Sequence, residues 1–103
     1  MSAASKFTSP ERIAAIHAIR DRFKGDTAAI QRARLLAVLQ ELGAASTFEL
    51  SRYADIYYPP ARKLELVNEG HDILTIRRGT MTEAGATHSV GVYSLKRGGA
   101  AVE

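Results

Sequence analysis

No cysteine occurs among the 103 residues. A disulfide scaffold, a thiolate zinc site, an iron–sulfur cluster and a cysteine nucleophile are therefore excluded. No apolar run comes near the roughly 20 residues that a membrane span requires, and the opening stretch MSAASKFTSPER lacks the apolar segment of a secretory signal. A cytoplasmic protein is expected. Charge of one sign is also scarce. Fourteen Lys and Arg stand against 11 Asp and Glu, a formal net charge of +3, which permits an anionic partner without demanding one. Residues 1–26 hold five basic and three acidic groups, 27–70 hold five and five, and 71–103 hold four and three. Any anion-binding surface must therefore come from local geometry. Catalytic signatures are missing as well. His17, His71 and His88 fall on separate stretches with no metal-ligand spacing, the serines lack a nucleophile-elbow setting, and the glycines form no phosphate-binding loop. The expectation is a non-enzymatic protein with no metal and no cofactor.

What is present is ordinary globular material. Hydrophobic residues make up 46% and charged residues 24%, enough for one core in a chain of this length. Residues 1–8 are small and polar, and are expected to be a flexible N-terminus. Thr8 or Ser9 caps a leading helix within 9–25, with Pro10 in its first turn and Glu11 at the positive end of its dipole. Ile13, Ile16, Ile19 and Phe23 form a stripe at helical spacing. Asp26 or Thr27 caps a second helix that runs to about Leu42 and stops at Gly43. Its wide apolar face of Leu35, Leu36, Val38, Leu39 and Leu42 marks the centre of the core. Ser46-Thr47-Phe48-Glu49 is a capping-box pattern that opens a short helix to about Tyr53. Pro59-Pro60 opens another, closed by Gly70.

Beyond Gly70 the period changes. Ile73–Arg78 and Val90–Leu95 read as two strands of a hairpin, with residues 79–89 as a long loop at its tip. From Lys96 onward a flexible tail is expected. A lone hairpin is marginal in water and must lie against the helices. The order is that of an α+β, mostly helical domain: a winged helix-turn-helix with an extra N-terminal helix and a C-terminal β-hairpin wing. The leading helix occupies 9–25, the tri-helical core 26–70 and the wing 71–95.

Specific residues carry a family resemblance across about two thirds of the chain. Gln31-Arg32-Ala33-Arg34-Leu35-Leu36, Ser46-Thr47-Phe48-Glu49-Leu50, Ile56, Ala61-Arg62, Leu66, Gly70-His71-Asp72-Ile73 and Tyr93-Ser94-Leu95 together resemble a small winged helix-turn-helix domain common in phage and prophage proteins. The chain departs from that pattern at Lys63, where the family usually has an aliphatic residue, and at Val67, where it usually has a basic one. Ala61, Leu64 and Val67 share one helical face while Leu66 points nearly the other way. The helix is then either buried on both sides or rolled.

The resemblance implies a double-stranded DNA-binding protein, a small transcriptional regulator or an architectural factor. The alternative is a protein-binding module on the same fold, such as a small inhibitor or adaptor of a host protein. Arg62 and Lys63, behind Tyr57 and Tyr58, are the candidates for groove and phosphate contacts, helped by free backbone N–H groups at the helix start. The competing arrangement pairs Arg62 with Glu65 or Glu69 and packs the tyrosines in the turn. Arg77 and Arg78, with Thr80, Thr82, Thr87, His88 and Ser89 behind them, resemble a wing that tracks phosphates, and Lys96 and Arg97 extend the strip. The stripe of the leading helix packs on its own domain by default. A homodimer interface is the alternative.

Overall fold

The computed structural model describes residues 8–81, 84–85 and 87–96. Helix α1 spans Pro10–Arg22, with the Ser9 hydroxyl accepting from the Arg12 N–H at 3.1 Å. Helix α2 spans Ala28–Leu42, capped by Thr27, which accepts from the Ile30 N–H at 3.2 Å. Between them Gly25 sits at φ 115°, a backbone conformation that favours glycine. Gly43, at φ 88°, ends α2.

Strand β1, Ala44–Ser46, follows directly and leads into helix α3, Thr47–Arg52. The capping box of α3 is complete: the Glu49 N–H donates to Ser46 Oγ, and the Ser46 N–H donates to Glu49 Oε1, each at 3.0 Å. Helix α4 spans Pro59–Asn68, and strands β2, Ile73–Met81, and β3, Thr87–Leu95, complete the chain. No helix among the described residues is long and apolar enough to cross a membrane.

The sheet departs from expectation twice. Both hairpin strands run further than the hydrophobic pattern reaches, with register continuing from Ile73↔Leu95 to Met81↔Thr87. The expected long loop at 79–89 is therefore largely strand. Thr80, Thr87 and Ser89 have backbones that suit a ladder even though they bring no apolar alternation, and Gly79 is carried opposite Ser89 by pairing on either side. The second departure is β1, which pairs antiparallel with β3 through Ala44↔Ser94 and Ser46↔Val92 and makes the order β1-β3-β2. Three small residues carry no strand signal of their own; the free edge of β3 supplies the pairing.

The core lies where α2 meets everything else. Leu35, Val38 and Leu39 are fully buried with Ile16, Leu50 and Ile56, and Leu66, Ile73 and Tyr93 close over them. Leu36 and Leu42 pack at the margin. The stripe of α1 is spent on this core: Ile16 and Ile19 are buried, and Phe23 packs against the same cluster.

Polar ties fix the connections. Buried Arg34 donates from Nε to the Phe23 carbonyl at 2.9 Å, from Nη1 to the Asp55 carbonyl at 3.0 Å, and from Nη2 to the Gly25 carbonyl. One turn further back, buried Gln31 donates to the Asp26 carbonyl at 2.8 Å and accepts the Tyr57 N–H at 3.0 Å. At the other end of α1, Arg12 Nε donates to Glu49 Oε2 at 2.9 Å, while its Nη2 reaches the Ala44 carbonyl. Thr8, counted with the flexible N-terminus in the expected layout, donates its hydroxyl to the same Glu49 carboxylate at 2.9 Å.

Glu49 thereby acquires a pH signature. Burial alone would raise its pKa, but the Arg12 guanidinium, the Ser46 N–H and the Thr8 hydroxyl outweigh it and hold the carboxyl below its ordinary value. A carboxyl with a depressed folded-state pKa contributes stability that is complete above the ordinary carboxylate range and is lost as pH falls through the folded value. Glu49→Gln is expected to lower the melting temperature at neutral pH and to narrow its difference from the parent as the pH drops below about 4. A difference that stayed constant from neutral to acid, measured by thermal melts, would remove Glu49 from the acid response.

Candidate nucleic-acid interface

The orientation of α4 decides what it can touch. Leu66 is 2% exposed and points into the core, while Leu64 and Val67 are 58% and 37% exposed. The helix is thus not buried on both sides. At about 100° per residue, Pro60, Lys63, Leu64, Val67 and Asn68 form one continuous outward arc. The carboxylates of the helix lie off that arc. Arg32 of α2 donates from Nη1 to Glu65 Oε1 at 3.1 Å, and its Nε lies 3.1 Å from Glu69 Oε2. Arg62 joins the same cluster, donating to Glu65 Oε2 at 2.9 Å with its side chain only 18% exposed.

The remaining candidates divide between two places. Lys63 Nζ stands 6.0 Å from the centre of the Tyr93 ring. Arg77, paired with Gly91 across the ladder, reaches over that glycine, with Nη1 3.7 Å from where a β-carbon would stand. It lines a shallow groove with Phe48, Ser51, Pro60, Thr75 and Tyr93. Burial raises the Tyr93 phenol above its ordinary pKa, with Arg77 pulling it down and Tyr58 pushing it up, so this hydroxyl stays protonated at neutral pH. Lys63 and Arg77 therefore gather about one buried tyrosine, and Tyr58 is exposed on the turn before α4. Strand alternation turns Arg78, opposite Val90, to the other face of the wing. Tyr57 exposes its ring, while its backbone N–H is held by Gln31.

The expected help from free N–H groups at the start of α4 is not there. Pro59 and Pro60 have none, and the Ala61 and Arg62 N–H groups both donate to the Tyr58 carbonyl, at 3.1 and 3.3 Å. Along the strip, Lys96 is exposed and its N–H donates to the Asp72 carbonyl at 2.8 Å. Arg97 and Thr82, and the side chains of Thr80, Thr87 and His88, lie outside the described residues. His17 packs edge-on to Tyr53, with ring centres 6.0 Å apart.

Sequence reasoning missed four residues of this surface: Phe48, Leu64, Val67 and Tyr93. The shared face of Ala61, Leu64 and Val67 was the available signal for two of them, once Leu66 was taken as the inward residue. Tyr93 and Phe48 come to the groove only through the β3–β1 pairing that no pattern announced. No curated protein and no solved structure matches the chain. The family model of the winged helix-turn-helix domain matches residues 30–98, from the first turn of α2 to beyond the end of β3. With that match over most of its length and the helices and wing in the corresponding order, the chain belongs to the winged helix-turn-helix domain family.

Proposed function

We propose that the protein is a non-enzymatic, double-stranded DNA-binding protein that presents the outward arc of α4 to the major groove. Helix-turn-helix domains bind DNA through such a helix. The observation that carries the reading is the charge layout. Both carboxylates of α4 are paired with Arg32 and Arg62 away from the arc, and Lys63 and Arg77 flank it. Tyr58, Lys63 and Arg77 hold phosphates beside the helix, Tyr57 borders the same turn, and Arg78 meets the backbone from the far side of the wing. Arg62 acts through Glu65, keeping that carboxylate off the groove. A small regulator or architectural factor of phage or prophage type, acting in the cytoplasm, is the form that the residue pattern favours. Were two copies to join through α1, the contact would fall on outward residues such as Ala14 and Ala18, because Ile16 and Ile19 face inward.

A protein-binding module on the same fold is the second reading, and exposed Phe48, Leu64 and Val67 are what favour it. A salt titration on random duplex separates the two. With Lys63, Arg77 and Arg78 each neutralising one phosphate, log K against log salt is expected to slope at about −3. Arg77→Ala is expected to weaken all duplexes alike and flatten that slope by about one unit. Binding undetectable even at low salt would overturn the DNA reading.

A further inference from the structure

The outward face of the recognition helix is apolar where base-reading helices commonly carry polar side chains. Pro60, Leu64 and Val67 stand in a row at helical spacing, and Phe48 of α3, 55% exposed, borders the same groove as Pro60. Exposed large apolar side chains are costly in a small domain unless something covers them. Two observations say what does. Lys63 and Arg77 border the row, so its occupant is anionic at its margins. The carboxylates that would repel an anion are held by Arg32 and Arg62 on the other side of the helix. An occupant with an apolar strip beside a line of negative charge matches one chemistry closely: the thymine C5-methyl groups of a duplex major groove, which lie alongside the phosphates.

Resting on the DNA-binding reading above, we propose that Leu64 and Val67, on the outward arc with Pro60 and Lys63, read thymine methyl groups and direct the protein to thymine-bearing steps. These two side chains offer no hydrogen bond that would fix a base edge. Their discrimination comes from burying methyls, at about 0.8 kcal/mol or fourfold in affinity for each. Asn68, at the C-terminal end of the arc, adds a side-chain amide of the kind that pairs with adenine.

The test replaces thymine by uracil, which removes the methyl and leaves base pairing intact. Four short duplexes serve as probes: an A·T duplex of mixed steps, its uracil counterpart, and a G·C duplex with and without 5-methylcytosine. The intact protein is expected to bind the thymine duplex about fifteenfold more tightly than the uracil one, as two buried methyls require. It is also expected to prefer the methylated G·C duplex to the plain one, because the methyl returns in the same groove. Leu64→Ala with Val67→Ala, both at exposed positions, is expected to erase the thymine–uracil difference. Equal binding of thymine and uracil duplexes would overturn the proposal and leave DNA binding standing, with the apolar row then assigned to a protein partner. No binding to any duplex at low salt would overturn the DNA reading and this proposal together.

Discussion

Arg34→Met is expected to lower the unfolding free energy by about 3–5 kcal/mol, the scale for removing one partner from a buried charged network. Arg34 is 3% exposed, and no carboxylate among the described residues forms an ion pair with it. It is held by three carbonyls: Phe23 at the end of α1, Gly25 in the turn, and Asp55, a non-glycine residue at φ 57° before α4. Methionine fills much of the same volume but leaves those acceptors without donors, each worth about 1–3 kcal/mol when buried. Relief from desolvating the cation offsets part of this sum. A domain of this size has about 5–15 kcal/mol in total, so the variant stands near the limit of folding. Urea unfolding should show a lower midpoint with an unchanged slope. A variant that unfolds at the parent's midpoint would mean that the guanidinium contributes nothing net.

The second large effect is a contrast between neighbouring leucines. Leu39 is fully buried at the crossing of α2 with the sheet and α1, whereas Leu36 packs only at the margin. Leu39→Ala leaves a cavity and is expected to cost about 2–5 kcal/mol. Leu36→Ala removes partly solvated surface and is expected to cost about 1 kcal/mol. The order matters more than either value. Equal losses in parallel thermal melts would mean that α2 presents a different face to the core.

The sequence announced its helices through end chemistry. Ser9, Thr27 and the Ser46–Glu49 pair each satisfy backbone donors within a single turn, so the physics is local and legible. The inward face of α2 was equally plain, because five large aliphatics at helical spacing have one way to turn. What stayed hidden is what depends on partners distant in the chain. Gln31-Arg32-Ala33-Arg34 reads as a polar stretch, yet Gln31 and Arg34 are buried because the turns before α2 and before α4 bring carbonyls to them. For Arg62 the sequence offers both a groove contact and a pairing with Glu65 or Glu69; the pairing is found, and Arg32, from another helix, completes the cluster in a way that no local spacing shows. Three residues of β1, and Gly79, Thr80 and Met81 of β2, follow β3 and not their own composition.

The strand order carries a colloidal consequence. With β3 in the middle, β2 is left with an open ladder along its outer side, and Leu74 and Ile76 are exposed on it. Such an edge invites another chain to add on and continue the sheet. A second copy approaching antiparallel about the middle of Ile73–Met81 would set Arg77 against Arg77, and like charges directly opposite disfavour that register. The arginines of the wing thus act as gatekeepers against self-association, beside the role at phosphate proposed for them. Concentrated salt, by screening them, weakens both roles at once.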